Sequence, residues 1–294
     1  LIDQADSTAA TAPQAIKALL LAGATKDEFA GAWENSSEQP LDAVFGAGEL
    51  NIYRSSQILA AGQQPGDGLL PLGLAGWDAA QTTSTRQVYR FEVPDGQVLN
   101  EWSVALDWNR TFTETAGFGF TLDPSLADLD LILRAEDGPQ AGEAINVSAS
   151  RVDNVEHIYR NGRLGTGGGA LSPGSYAIEV IADREGVDYA LAWFGSLELV
   201  TGDLDFDGDV DFDDVDGMVL GLNSASFYED TFGVPPDDAG DTDDDGDLDF
   251  DDLDGFVTIL VTGGLAARAE VPEPGSGGLL CAALLMLASV SRPK

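Results

Sequence analysis

The chain has 294 residues, 44% of them hydrophobic, which is enough to build the packed cores of two ordinary domains and excludes global disorder. Asp and Glu outnumber Lys and Arg by 51 to 14, and the resulting net charge of −37 excludes nucleic acid as a partner. The single cysteine, Cys281, and the single histidine, His157, exclude a disulfide framework and a zinc site. Any histidine-dependent catalysis would rest on one imidazole.

The N-terminal region favours two helices. Ile16, Leu19 and Leu20 fall on one helical face, which predicts a helix over residues 13–23, and a second helical stretch is predicted over 55–61. Read alone, these helices need a core that must come from elsewhere. Because the chain begins without methionine or a signal peptide, we expect a fragment or the processed C-terminal part of a longer protein.

The stretches 15–24 and 45–51 resemble the last helices of a subtilisin-like serine protease domain. In that family the nucleophilic serine, the histidine and the aspartate all precede these helices. The resemblance therefore implies that residues 1–62 are the C-terminal remnant of such a domain and contain none of its catalytic residues. An unrelated helical pair is the alternative.

Residues 63–71 are rich in Gly, Pro and Gln, which indicates a linker of low order that reaches to residue 76. Farther along the chain, apolar residues recur at every second position, as in half-buried strands. The main sets are Trp102, Val104, Leu106 and Trp108; Leu129, Leu131 and Leu133; Tyr176, Ile178 and Val180; and Val187, Tyr189, Leu191 and Trp193. Several such strands with glycine-rich turns predict an antiparallel β-sandwich over 77–200.

This region, including residues 153–157, resembles the β-sandwich that follows the catalytic domain of many secreted bacterial proteases. His157 is interpreted as a partly exposed structural imidazole. Trp102 and Trp108 could stack on a sugar, but their alternation is explained more simply by a place in the core.

Two Asp-rich segments, 202–214 and 240–252, repeat in register. An EF-type calcium loop needs oxygen ligands at positions 1, 3, 5, 9 and 12, a backbone carbonyl at position 7 and a glycine at position 6. The candidate side-chain ligands are Asp203, Asp205, Asp207, Asp211 and Asp214 in the first loop, and Asp241, Asp243, Asp245, Asp249 and Asp252 in the second. Asp209 and Asp247 would coordinate through their carbonyls, while Gly208 and Gly246 occupy position 6.

This spacing predicts two Ca²⁺ ions, one in each loop. Without a cation the converging carboxylates repel one another, so we expect folding and calcium binding to be one event. The helix after each loop carries apolar residues at helical spacing, namely Val215, Met218, Val219 and Leu222, then Leu253, Phe256, Val257 and Leu260. We expect the two stripes to pack together. A solvated or disordered acidic tail explains the charge but neither the glycine register nor the stripes.

Two such loops, each ending in Asp and lacking a preceding helix, resemble the type I dockerin repeats. Dockerins dock onto cohesin domains, often through a Ser-Thr pair at loop positions ten and eleven. Here those positions hold Phe212-Asp213 and Phe250-Asp251. This departs from the Ser-Thr pattern. The resemblance implies docking onto a cohesin-like or other surface receptor protein, and an intramolecular neighbour is the alternative.

Residues 271–274 (Val-Pro-Glu-Pro) precede an apolar run over 279–290 and a basic end, an order that resembles the PEP-CTERM sorting signal. As a helix the run would reach ~18 Å, short of the ~30 Å hydrocarbon core of a bilayer. The resemblance implies cleavage by an exosortase-type processing enzyme and transient contact with the membrane through the C-terminal helix. The basic end would stay on the cytoplasmic side.

Together these features predict a multidomain chain, mainly β plus α. Its parts are a short helical remnant (1–62), a linker (63–76), an antiparallel β-sandwich (77–200), an EF-hand-like two-loop dockerin module (201–263) and a sorting segment with a C-terminal hydrophobic helix (264–294). We expect an exported protein, at the cell surface or extracellular, with a docking role and no catalysis of its own. The alternatives are the C-terminal part of a subtilisin-like serine endopeptidase whose triad lies upstream, and a carbohydrate-associated surface protein.

Overall fold

The computed structural model describes residues 8–29, 32–68, 70–110, 112–115, 119–122, 126–206, 210–243 and 245–262. Its helices are α1 (Pro13–Ala22), α2 (Ile52–Ala60), α3 (Asp214–Asn223), α4 (Ala225–Phe232), α5 (Asp237–Gly240) and α6 (Asp252–Thr262), with a 3₁₀ turn over Asp27–Phe29. Its strands are β1 (Ala75–Gln81), β2 (Arg86–Val93), β3 (Gln97–Trp108), β4 (Phe112–Thr115), β5 (Gly119–Leu122), β6 (Leu129–Ala135), β7 (Ala144–Ser148), β8 (Val155–Asn161), β9 (Gly174–Ala182) and β10 (Asp188–Leu199).

Two antiparallel four-stranded sheets enclose the main core. Their strand orders are β1-β10-β3-β8 and β2-β9-β6-β7, while β4 pairs with β5. The alternating residues of the sequence meet between the two sheets, where Trp102, Trp108 and Trp193 have no exposed surface. The predicted antiparallel β-sandwich is confirmed, and neither Trp102 nor Trp108 is available to stack on a sugar.

Helix α1 packs on the outer face of the first sheet. There β3 and β10 present small side chains, Ala105, Ala190 and Ala192, against which Ala18 and Leu19 of the helix are buried. Small residues on both surfaces let the helix approach the sheet closely. The core that the N-terminal helices seemed to lack is thus supplied by the sandwich itself.

An ion pair holds the same helix in place. The Lys17 Nζ atom lies 2.6 Å from Oδ1 of Asp107, a carboxylate with almost no exposed surface on β3. Burial raises the pKa of Asp107 to about 6, and the nearby ammonium of Lys17 opposes that rise. Removing Lys17 would leave the Asp107 carboxylate buried without its partner, which is strongly destabilising.

The segment 63–76, interpreted from its composition as a linker of low order, is hydrogen-bonded along the sandwich. Gln64 N donates to Trp77 O at 2.8 Å, and Leu72 N donates to Arg90 O at 2.7 Å. It therefore contacts β1 of one sheet and β2 of the other. Side chains add to these backbone bonds, since Gln63 Nε2 donates to Asp78 Oδ1 and Val88 N donates to Asp67 Oδ1. We call residues 63–76 the strap.

The loop between α1 and α2 covers β8 and changes the environment of His157. The sequence suggested a partly exposed imidazole, but His157 is fully buried, with Trp33 edge-on at 5.8 Å and Ser103 Oγ at 3.3 Å from its Nε2. The expectation was wrong because Trp33 comes from a distant loop. Burial lowers the pKa of His157 well below its usual value, so the ring is neutral.

Lys26 is buried in the same region. Its Nζ donates to Ala24 O at 3.1 Å and lies 3.9 Å from the ring centroid of Tyr159. Burial lowers the pKa of Lys26 to about 7, although the negative charge of Glu101 acts in the opposite direction. The native fold therefore releases the proton of Lys26 near pH 7, whereas the unfolded chain keeps it to pH ~10.4.

Helices α3 to α6 surround a smaller core within residues 200–262, which we call the acidic module. This core contains Leu204, Val210, Met218, Tyr228, Ala239 and Phe256. The expected apolar stripes are wrong in part, because Val215, Val219 and Val257 are exposed by 37%, 59% and 55%. Glycines take the inward positions of α3 instead: Gly217 lies against Leu204, and Gly221 lies against Leu248.

The proposed sorting segment, residues 264–294, lies outside the described residues, as does its apolar run. Within the described part of the chain, no helix combines the length and apolarity needed to cross a bilayer.

The burial of Lys26 leads to a pH-dependent prediction. Lys26→Met should raise the free energy of unfolding at pH 7 by at most about 5 kcal/mol, since each unit of lowered pKa is worth ~1.4 kcal/mol. Between pH 7 and 10 the side chain of Lys26 binds more proton in the unfolded than in the native wild type, so its cost to stability falls as the pH rises and the gain from Lys26→Met should shrink. Urea unfolding at pH 7, 8.5 and 10 measures this, and a gain independent of pH would contradict it.

Candidate metal centre

In the first loop, three carboxylates converge. Asp203, Asp205 and Asp214 each place an oxygen within 4.8 Å of the others. Asp203 and Asp214 are buried and Asp205 is half-buried. They occupy loop positions one, three and twelve, which the sequence predicted as calcium ligands.

The second loop repeats the arrangement at the same three positions. Asp241, Asp243 and Asp252 place their oxygens within 4.8 Å of one another. Asp252 is buried, Asp241 is half-buried and Asp243 is exposed, so this cluster is more open to solvent than the first. The repetition makes a chance juxtaposition of surface acids a poor explanation.

The carboxylate at position twelve is oriented by the backbone of its own loop. Asp214 Oδ1 accepts hydrogen bonds from the N–H groups of Leu204 and Asp205, and Oδ2 accepts one from Asp211 N at 2.8 Å. The second loop makes the same three bonds, from Thr242, Asp243 and Asp249 to Asp252. Both loops thus close around the start of the helix that follows them.

The two carboxylates at position twelve differ in their electrostatics. Burial raises the pKa of Asp214 to about 6 despite its three backbone donors, and the charge of Asp205 adds to the rise. Burial also tends to raise the pKa of Asp252, but hydrogen bonds from the backbone donors outweigh this effect, so the pKa lies below its usual value. A cation would therefore stabilise the charged carboxylates of the first cluster more than those of the second.

Other predicted ligands are not brought into these groups of three. At position nine, Asp211 Oδ1 accepts from Asp213 N and Asp249 Oδ1 accepts from Asp251 N, so both side chains support the turns that begin the helices. Asp245 and Asp247 are also described but do not join the second group. The remaining first-loop residues Asp207, Gly208 and Asp209 lie outside the described residues. Gly246 adopts φ 102°, the left-handed region that position six requires.

Sequence reasoning missed two glycines that bring each loop against its helix. A Cβ on Gly217 would lie 2.6 Å from Leu204 O, and one on Gly255 would lie 2.6 Å from Thr242 Cβ. Both follow position twelve by three residues, and this shared register was the signal available in the sequence. The first loop has an additional support, since the buried Tyr228 hydroxyl donates to Leu204 O at 2.8 Å.

The donor set determines which ions fit. Each cluster brings together three carboxylates of the described residues, and such hard oxygen ligands suit Ca²⁺ or Mg²⁺ rather than zinc or copper. A bound divalent cation would supply the positive charge that the converging carboxylates lack. The two clusters can therefore hold metal ions.

The sequence matches no protein-family model, and no curated protein matches it. Among solved structures, the pre-peptidase C-terminal domain of a collagenase from Bacillus anthracis is 13% identical, with a TM-score of 0.27 over 46% of this chain and 96% of that domain. The structure of the infectious bursal disease virus Gx strain is 11% identical, with a TM-score of 0.19 over 42% of this chain and 30% of the other. Likenesses this distant do not bear on what the chain does.

The close approach at Gly217 and Gly255 is testable. Ala is the better helix former by ~1 kcal/mol, but overpacking costs typically ~1–3 kcal/mol. Gly217→Ala should therefore weaken metal binding at the first loop, by roughly tenfold for a net ~1.4 kcal/mol. Gly255→Ala should act in the same direction at the second loop.

Isothermal titration calorimetry with calcium measures both effects. Val219→Ala is the matched control, because Val219 is exposed on α3 and its truncation should leave the affinity unchanged. Unchanged or tighter calcium binding in Gly217→Ala would show that the contact between α3 and Leu204 does not support the first loop.

Proposed function

We propose that the acidic module binds two calcium ions and acts as a calcium-dependent docking module of the dockerin type. The observation that carries this proposal is the convergence of the same three aspartates in two loops, each with its position-twelve carboxylate oriented by three backbone donors. Calcium takes six to eight oxygens in a flexible geometry, whereas Mg²⁺ demands a compact octahedron. Loops this rich in carboxylates and carbonyls favour calcium.

Calcium binding should be coupled to folding of the module. The core of the module is small, and two of its buried side chains, Asp203 and Asp214, are carboxylates of the first cluster. Leaving such charges together without a cation is strongly unfavourable, so the ion contributes directly to the stability of the fold.

The direct test is a calcium titration of the full chain. The wild type should bind two ions, whereas Asp214→Asn and Asp252→Asn should each bind one. Calorimetry gives the stoichiometry, and far-ultraviolet circular dichroism should show a gain of helix as calcium is added. Asn keeps the size of the side chain but loses its charge and one of the two oxygens that accept backbone N–H groups, so a loss shows that the intact carboxylate is needed. Unchanged spectra and unchanged thermal unfolding in excess chelator would reject the proposal.

The docking surface is proposed on the exposed apolar residues that the two loops share. Phe212 and Phe250, both at loop position ten, are 70% and 75% exposed, and Val219 and Val257 follow on the next turns. Acidic residues surround them, and residues 201–262 contain neither Lys nor Arg. A receptor of cohesin-like or other fold would therefore present an apolar contact with a basic rim.

A docking test compares the wild type with the double variant Phe212→Ala/Phe250→Ala. Immobilised wild-type chain should retain a receptor from the envelope proteins of the source organism in calcium and release it in chelator. The double variant should bind calcium normally but fail to retain the receptor, since buried aromatic anchors carry much of an interface's energy. Equal retention by both chains would remove these residues from the interface.

Export and sorting remain proposals supported by the order of motifs in residues 264–294, with an exosortase-type enzyme as the processing partner and the C-terminal helix as a transient membrane contact. The subtilisin-like origin of residues 1–62 also remains a prediction. In the structure their helices are completed by the sandwich, an arrangement that does not require a protease domain.

A further inference from the structure

The first acidic loop contacts the sandwich at one turn. Val200 N donates to Gly96 O at 3.3 Å, and Gly96 lies in the turn between β2 and β3. Phe206, at loop position four, lies against the same residue. A Cβ on Gly96 would lie 3.0 Å from Phe206 Cβ and 3.1 Å from its Cα. The turn accommodates the loop because residue 96 has no side chain.

Phe206 makes this contact in an unfavourable backbone conformation. Its φ is 60°, in the left-handed region that bulky residues avoid. Strain of this kind persists only where the surroundings over-determine it. Here Phe206 directly follows Asp205, whose carboxylate converges with those of Asp203 and Asp214, and its ring packs edge-on against Phe232 at 5.8 Å. The position of Phe206 is thus tied to the cluster through Asp205 and to α4 through Phe232.

The second loop has different surroundings. Its residue at position four is Asp244 rather than an aromatic. Leu248 N donates to Asp237 Oδ1, so this loop contacts α5 within the module. Asp243 is exposed, whereas the buried Asp203 of the first loop belongs to the segment that leads from β10 into the module. An ion in the first loop can affect the junction with the sandwich directly.

We propose that calcium in the first loop latches the acidic module onto the β2–β3 turn of the sandwich, through Phe206 on Gly96, and that the second loop binds its ion without this coupling. This inference rests on the calcium sites proposed above. Because coupling between two binding events is reciprocal, the contact must raise the affinity of the first loop by the same factor by which the ion favours the contact. Calcium then fixes the direction in which the docking surface faces.

The test uses the full chain with one loop silenced at a time. In an Asp252→Asn background, where only the first loop binds, Gly96→Asn should weaken calcium binding about fivefold or more, the lower end of typical coupling. Asn tolerates a positive φ, and Gly96 has φ 73°, so the turn is kept while a Cβ is forced against Phe206. In an Asp214→Asn background the same change should leave the second loop unaffected.

Gly186→Asn is the matched control, since Gly186 has φ 78° and open space where its Cβ would be. It should change neither loop. If Gly96→Asn leaves the first loop's affinity unchanged, or weakens both loops equally, the latch is overturned.

A second measurement reports the orientation itself. Spin labels at Val152→Cys on the sandwich and Ser226→Cys on α4, in a Cys281→Ser chain, give a distance distribution by pulsed electron paramagnetic resonance. With both ions bound, the distribution should be narrow in the chain that keeps Gly96 and broader in Gly96→Asn. Equally narrow distributions in the two calcium-bound chains overturn the latch alone. A chain that binds no calcium overturns the proposed function and the latch together.

Discussion

The alternation of side chains along β3 and β10 is the constraint on which most of this structure depends. Successive residues of a strand point to opposite faces, so these two central strands serve two cores at once. One face carries Trp102 and Trp193 into the sandwich, and the other presents Ala105 and Ala192 to helix α1. Large residues fill the space between the sheets, while small ones bring the helix close. Shifting either strand by one residue would exchange these roles and destroy both cores.

The acidic module follows a different physical rule. Its hydrophobic core is small, and the charges around it would by themselves oppose compaction. The backbone donors at position twelve only partly offset this, since they orient Asp214 and Asp252 without supplying a net positive charge. The sandwich is stabilised mainly by apolar burial, whereas in the proposed function a cation that neutralises the carboxylates adds to the stability of the module. The two parts should therefore respond differently to solution conditions.

Much of the sandwich was predictable because the alternation of apolar and polar residues is visible within each strand, whichever strands pair with it. The convergence of positions one, three and twelve in each loop was predictable for a similar reason, because position and residue type in one short segment bring these oxygens together, as Asp203, Asp205 and Asp214 illustrate. Features that depend on distant segments were not. His157 is buried by Trp33, and Val219 is exposed because Gly217 and Gly221, which no apolar pattern would mark, lie with Met218 on the inward face of α3.

The strap has a mechanical consequence. Its backbone bonds reach Trp77 on the first sheet and Val88 and Arg90 on the second, and Trp193 Nε1 donates to Gly73 O across the same edge. A tensile load applied at the N-terminal helices would reach these bonds before it reached the strands, because the strap joins α2 to β1. Sliding one sheet past the other would have to break the same set of bonds. The strap thus adds hydrogen bonds to a closure that side-chain packing would otherwise provide alone.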